Sequence, residues 1–197
     1  RKADRVADHL LRQIVSGDLE VGAILPRENE LADAYGVNRG VIREAVKLLE
    51  VHRLVRPRRR RGTEVLDPMT SLSAEVLCAM LVPRPQTVDA GMLEDLLEVR
   101  ASIDEAMTTL AAERRTEEDL AALETALGRI KANFHDPIAY DACTRQFTLA
   151  IARASKNRIY EMLVHWHSRV CVDMQEITEP VRRPTDYHLQ GVTYALE

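Results

Sequence analysis

The sequence predicts a mainly α-helical chain in two parts: an N-terminal winged helix-turn-helix with a small β-hairpin wing, and a C-terminal all-α bundle. Three observations predict it. Residues 28–65 read as a short helix, a glycine turn, a second helix, a strand, an arginine run and a second strand. From residue 68 onward the apolar residues recur only at helical spacing, with no strand–helix–strand rhythm. Aromatic residues make up 4% of the 197 residues against 46% hydrophobic, and abundant Ala and Leu with few aromatics favour helix over sheet.

Residues 2–16 carry Val6, Leu10, Leu11, Ile14 and Val15 on one helical stripe, ended by Ser16-Gly17-Asp18. Residues 19–25 read as a loop containing Gly22. Pro26 closes it, a residue excluded from helix interiors but well placed just before a helix starts. The helix that follows stops at Gly36, where a left-handed residue is needed, and Asn38 suits the N-cap of the next. On that next helix Ile42, Ala45, Val46 and Leu49 fall at i, i+3, i+4 and i+7 and form a face to bury. Arg39, Arg43 and Lys47, at i, i+4 and i+8, line a second face. A helix apolar on one side and cationic on the other, reached through a glycine turn, has the form of a helix-turn-helix reader of DNA. A solvated helix of a small bundle would carry the same three cations.

The wing separates these readings. Leu54-Val55-Arg56 and Gly62-Thr63-Glu64-Val65-Leu66 read as paired strands, with Arg58-Arg59-Arg60-Arg61 at the tip between them. Four adjacent arginines repel one another unless an anion is close, and DNA phosphate or the minor groove supplies one. A solvated tip or a targeting patch is the other reading of the same run.

Asp67-Pro68 and Met69-Thr70-Ser71 read as a linker, which places the domains at 1–67 and 72–197. In the second, helices are expected over 72–82, 89–115, 117–134, 137–155 and 159–177, with a last one from about Thr185. Thr116 and Asp119 form a capping box, and Asp136-Pro137 opens the fourth of these helices.

Charge divides along the same line. Residues 1–67 hold 14 Lys and Arg against 11 Asp and Glu, a net of +3, whereas residues 68–197 hold 13 against 20, a net of −7. The first part suits a polyanion and the second does not. Cys78, Cys143 and Cys171 are odd in number and far apart, which points to neither a disulfide framework nor a thiolate zinc site. No secretory signal and no apolar run of 18 residues occurs, so a cytoplasmic protein without membrane contact is expected. The chain begins without Met and stops at Glu197 within a helical pattern, so both ends of a longer protein are expected to be missing.

These residues together resemble the GntR family of bacterial transcription regulators. The matching positions are Gly17, Gly22, Leu25-Pro26, Glu28, Glu30-Leu31-Ala32, Gly36-Val37, Arg39, Val41, Arg43-Glu44-Ala45, Leu49-Glu50, Leu54-Val55, Gly62-Thr63 and Val65. The second part is similar to the FadR-type (FCD) subgroup through Leu97-Glu98-Val99-Arg100, and through Phe147, Ile151-Ala152, Ala154-Ser155 and Asn157. The resemblance implies a homodimer on a pseudo-palindromic double-stranded operator, with DNA affinity altered by a small effector in the helical domain. It implies that Arg39 and Arg43 contact bases or nearby phosphates and that Gly62 approaches the minor groove. The DNA-facing set expected is Arg27, Asn38, Arg39, Gly40, Arg43, Lys47, Arg60, Arg61 and Gly62. Two departures stand out. Arg27 and Asn29 replace the family's Ser or Ala and Arg, and Arg53 stands where the family ends its reading helix with Gly.

Many members of that subgroup bind a divalent metal through an Asp, a His one turn later and two further His. Here the first two positions are Thr144 and Thr148, and His188 fits the third. Neutral hydroxyls are poor ligands for Zn or Ni, so no cofactor and no divalent metal is expected, His188 serving only if a residual site exists. The effector-facing set expected is Arg100, Arg145, Thr144, Thr148 and His188, with Arg153 a further cation for an anionic ligand. A fatty acyl-CoA and a carboxylate metabolite are the effector classes the resemblance allows. No G-x-S-x-G, P-loop, H-E-x-x-H or G-x-G-x-x-G motif occurs, so no enzyme is expected. The alternative reading is a winged-helix nucleoid or protein-interaction module with little sequence specificity.

Overall fold

Lys2–Val15 forms α1 because its apolar residues fall on one stripe, with Val6, Ala7, Leu10, Leu11 and Ile14 all buried. The computed structural model describes residues 1–84 and 87–178. They fall into two compact units, the chain dividing between Leu93 and Glu94.

In the first unit, α1 is followed by α2 (Glu28–Tyr35) and α3 (Arg39–Val51). Gly36 ends α2 in the left-handed region at φ 61°, as the glycine turn requires. The Asn38 side chain then caps α3 by accepting a hydrogen bond from the Val41 N–H at 3.0 Å. Ile42, Ala45 and Leu49 are fully buried against α1, Leu25, Leu31 and the wing. Burying a side chain of the size of Ile42 or Leu49 stabilises by about 1.5–3 kcal/mol, so this face fixes the angle at which α3 presents its other side.

Arg53 ends α3 without a glycine. It takes the left-handed conformation itself, at φ 57°. Its N–H donates to the Glu50 carbonyl at 3.0 Å, and the Leu54 N–H donates to the Leu49 carbonyl at 2.9 Å. This is the paired hydrogen bonding of a Schellman motif, made by a residue with a side chain.

The wing is an antiparallel pair, β1 (Val55–Arg58) and β2 (Gly62–Val65), in the register Val55 to Val65 and Arg58 to Gly62. Its strand limits differ from the expectation. Arg58 lies within β1 and not at the tip, which is the three-residue turn Arg59–Arg61 with Arg60 in the left-handed region at φ 64°. The reason is Glu64. It pairs with Arg56 across the ladder and accepts from both Arg56 (3.1 Å) and Arg58 (2.7 Å), which holds those two arginines on the strand. The preceding segment is also more ordered than a loop. Gly22 and Leu25 donate to the carbonyls of Val65 and Thr63, Val65 donates to that of Ala23, and Ile24 bridges to Glu64.

After a 3₁₀ turn at Pro68–Thr70, α4 (Ala74–Leu81) is capped by Ser73, whose hydroxyl lies 2.9 Å from His52 Nδ1 at the end of α3. Val76 and Ala79 enter the core of the first unit, and Arg12 donates to the Val82 carbonyl at 3.0 Å. The helix beyond the linker at 68–71 is thus packed with the helix-turn-helix, and its buried apolar side chains are what hold it there.

α5 (Ala90–Arg114) begins at the end of the first unit and continues into the second, which adds α6 (Glu117–Ala132), α7 (Pro137–Ala154) and α8 (Arg158–Thr178). α7 packs against both α6 and α8. Met107, Leu149, Ala152 and Val164 form the core there, with Ile151 and Tyr160 against it. Local caps mark each start. Thr116 and Asp119 exchange hydrogen bonds at α6, Asp136 accepts from the Ile138 and Ala139 N–H groups at α7, and Asn157 accepts from Ile159 at α8. Leu97, on α5, is 51% exposed. The expected last helix from Thr185, and His188 within it, lie outside the described residues.

Candidate functional site

Two places in the structure gather the chemistry. The first lies on α3 and the wing. Arg39, Gly40, Arg43 and Lys47 are all exposed on the side of α3 opposite its buried face. Arg43 does not hang free. Its Nε donates to Glu28 Oε2 on α2 at 2.8 Å, which ties one cation of the reading face to the preceding helix. Gly40 sits in the first turn beside the cap, where a Cβ would come to 3.1 Å from the Asn38 side-chain oxygen.

Arg27, Arg60, Arg61 and Gly62 surround one cleft of about 420 Å³ between the wing and α2, together with Pro26, Glu28 and Thr63. The structure therefore brings Arg27, the N-cap residue of α2, together with two of the wing arginines. Gly62 is at φ 104°, and a Cβ there would meet Ile24 Cγ2 at 2.7 Å. Its lack of a side chain is what lets β2 lie so close to Ile24. The Glu64 carboxyl is held below the ordinary carboxylate range by Arg58 and then Arg56, so it stays ionised beside the wing and offsets part of its charge. The interaction of Glu64 with two arginines was not read from sequence, although alternation along β1 would place Arg56 and Arg58 on one face.

The second place is a cavity of about 130 Å³ in the second unit, enclosed by α5, α7 and α8. Of the five residues expected to face an effector, Arg100, Thr144, Arg145 and Thr148 line this one cavity, and His188 lies outside the described residues. Arg153 does not join them. It is exposed and donates to Glu161 at 2.9 Å.

Each cavity arginine brings a carboxylate from its own helix. Arg100 Nε donates to Asp104 at 3.2 Å, and Arg145 is ion-paired with Asp141. A second N–H group of Arg100 points at His167 Nε2, 3.3 Å away, and His167 Nδ1 lies 3.5 Å from the Cys171 sulfur. Leu96, Ile103, Leu163, Val164 and Trp166 supply the apolar wall. His167, Cys171 and Trp166 were not among the residues expected. The i, i+4 spacing of Arg100 with Asp104 and of Asp141 with Arg145 was legible as two helix-surface pairs, but not that both pairs face one cavity.

Of the positions where the subgroup's metal ligands are expected, the described residues supply Thr144 and Thr148. The Thr144 and Thr148 hydroxyls donate to the carbonyls of Tyr140 (2.9 Å) and Thr144 (3.1 Å) within α7. Neutral oxygens already committed to the helix are weak ligands for a borderline divalent ion. Among the described residues no group of three or more His, Cys, Asp or Glu side chains is placed to hold one.

The family models agree with this architecture. Residues 2–65 match the model described as bacterial regulatory proteins of the gntR family, and residues 95–189 match the FCD domain. The chain belongs to the GntR family. It is a DNA-binding transcriptional regulator with an FCD effector-binding domain. It is 32% identical to the galactonate operon transcriptional repressor of Escherichia coli K12, over 82% of this chain and 70% of that protein. It is 29% identical to the HTH-type transcriptional regulator LutR of Bacillus subtilis 168, over 85% of this chain and 74% of that one. Among solved structures, Lar, which controls expression of the Listeria monocytogenes agr system, shares the fold at 22% identity. Its TM-score is 0.54, over 86% of this chain and 71% of that chain. GntR-family members with this pair of domains bind DNA operators and small-molecule effectors. No helix among the described residues is long and apolar enough to cross a membrane.

Proposed function

We propose that this GntR regulator binds a pseudo-palindromic operator as a cytoplasmic homodimer, and that a small organic effector seated in the cavity of α5, α7 and α8 alters that binding. The observation that carries the reading is the arrangement of cations in the first unit. Arg39, Arg43 and Lys47 share the exposed face of α3, and Arg27, Arg60 and Arg61 flank a cleft beside it. An α-helix fits the major groove with its N-terminal residues at the base edges, and flanking arginines suit phosphate and minor groove. A single winged helix covers little DNA, and two half-sites raise affinity and specificity together.

Arg39 and Arg43 are the base-contacting residues of this reading. Arg27, Lys47, Arg60 and Arg61 hold phosphate, and the Asn38 cap and Gly40 let the start of α3 come close to DNA. Arg100, Arg145, Thr144 and Thr148 meet the effector, without a metal and without catalysis. The cavity volume of about 130 Å³ favours a small carboxylate metabolite over a fatty acyl-CoA.

Selection of bound duplexes from a random pool, at physiological salt and read by sequencing, tests the proposal. A short inverted repeat is expected. Enrichment of a single unrepeated site would overturn the dimeric reading. Binding that follows salt alone, with no motif in the presence or absence of cell metabolite extract, would point instead to a nucleoid or interaction module.

A further inference from the structure

We infer that Ser73, the N-cap of α4, is a positioning residue for DNA recognition: its hydroxyl holds His52, and through His52 the last turn of the reading helix α3. This rests on the reading of α3 as the helix that meets the bases, and adds a residue outside the DNA-facing set.

The backbone stop of α3 is a costly one. Its C-cap is His52, and the next residue, Arg53, takes the left-handed conformation at φ 57° without being glycine. Such a residue persists where its surroundings leave the backbone no alternative. On one side stands Leu54, fully buried in the core. On the other stands His52, whose ring is anchored on Ser73. The strained residue is held between a buried apolar side chain and a hydrogen bond to another helix.

The direction of that hydrogen bond follows from the protons present. The Ser73 hydroxyl has one, and it goes to the Glu75 carboxylate at 2.7 Å, a group that only accepts. The hydroxyl oxygen accepts from the Val76 N–H at 3.4 Å, the cap of α4. In the 2.9 Å contact with His52, the ring Nδ1 therefore carries the proton and donates to the same oxygen. One hydroxyl joins the end of α3, the start of α4 and a carboxylate.

The support is itself packed. α4 places Val76 and Ala79 in the core of the first unit, and Arg12 donates to the Val82 carbonyl at its far end. α3 is fixed at its start by the Asn38 cap and near its middle by Glu28 and Arg43. Ser73 and His52 fix the end that remains. Lys47 adjoins Leu48, whose carbonyl accepts the His52 N–H at 3.1 Å, so a loosened last turn shifts Lys47 and tilts Arg43 and Arg39 with it. Random DNA tolerates such a tilt, because phosphate contacts carry no sequence information, whereas base contacts do not.

Operator and random duplexes are titrated against the full chain and its variants. His52→Phe removes the ring nitrogens, keeps a ring and leaves the α4 cap in place. Ser73→Ala removes the hydroxyl and the cap together. Each is expected to lower the operator-to-random affinity ratio about fivefold, the worth of one hydrogen bond. The double variant should lose no more than either single one, because both act through one contact. Ser73→Thr, which keeps the hydroxyl, should hold the native ratio. Should Ser73→Ala lose its helical circular dichroism, His52→Phe and Ser73→Thr carry the test. A native ratio in His52→Phe overturns the inference, as do losses that multiply in the double variant, equal losses on both duplexes, or a Ser73→Thr ratio reduced fivefold. Arg39→Ala is the control on the underlying reading. A reduced ratio there with a native one in His52→Phe sinks the positioning role alone, and a native ratio in Arg39→Ala sinks the reading of α3 and the inference with it.

Discussion

Glu28, the first residue of α2, accepts a hydrogen bond from Arg43, in the middle of α3, at 2.8 Å. The carboxylate holds one guanidinium N–H, which restrains the direction of the Arg43 side chain. It also places a negative charge beside the cationic face proposed to meet DNA. Two opposite effects on binding follow from one contact, and they separate by experiment. Arg43→Ala or Arg39→Ala should weaken specific binding by about 1–3 kcal/mol and leave random DNA less affected. Glu28→Ala should raise affinity for random duplex, because a repelling charge is gone, while discrimination against a mutated half-site falls by about 1 kcal/mol because Arg43 is no longer aimed. Competition titrations with specific and random duplexes check both. Equal losses on the two DNAs for Arg39→Ala would remove its base-contact role.

The wing carries a second balance. Glu64 bonds both Arg56 and Arg58, whereas Arg59–Arg61 form the turn. Removing one turn arginine, as in Arg61→Ala, should flatten the dependence of log affinity on log salt by about one unit, the release of one counterion. Glu64→Gln should act in the opposite direction and steepen that slope, because Arg56 and Arg58 become available to phosphate. Binding isotherms between about 50 and 200 mM salt test the pair. An unchanged slope in both variants would mean that the wing stays off the DNA.

What could be read from sequence was whatever depends on neighbours. The Gly36 turn, the Asn38 cap, the Thr116–Asp119 box and the buried face Ile42, Ala45 and Leu49 are all set within one or two helical turns, where spacing carries the information. What was missed depends on partners far along the chain. Ile24 pairs with Glu64, 40 residues away, in a segment too short to show alternation. Arg100 reaches His167, 67 residues on, and no local pattern announces that. The candidate site divides the same way. Arg39, Arg43 and Lys47 share a face by periodicity alone, but the meeting of Arg27 with Arg60 and Arg61 follows from where the wing folds back.

Arg53 tests the cost of a missing glycine. A residue with a Cβ in the left-handed region is disfavoured by roughly 1–2 kcal/mol, and at position 53 the backbone needs that conformation to end α3. Arg53→Gly removes the strain, and the flexibility it adds to the unfolded chain offsets part of the gain. The variant should be more stable by about 1 kcal/mol, read from the midpoint of urea unfolding at constant slope. Arg53→Val, β-branched at the same place, should be less stable than the native chain. Reversal of that order would show that the Arg53 side chain contributes more than its backbone costs.

Asp119 joins the two ends of the second unit's central helices. It caps α6 and is ion-paired with Lys156, which follows α7 in the left-handed conformation. Lys156 first, then the backbone and hydroxyl of Thr116, lower its carboxyl from 3.8 to about 2. A carboxyl with a lower value folded than unfolded stabilises the fold above the unfolded value, and that contribution disappears as pH falls through the folded one. The Asp119 contribution is therefore complete at neutral pH and is lost between about pH 4 and pH 2. Lys156→Met removes the main cause and leaves the cap, so the Asp119 midpoint should move up toward 3.8 but stop short of it. Carbon-13 titration of the aspartate carboxyls follows that midpoint directly. A midpoint unmoved in Lys156→Met would assign the shift to the cap alone.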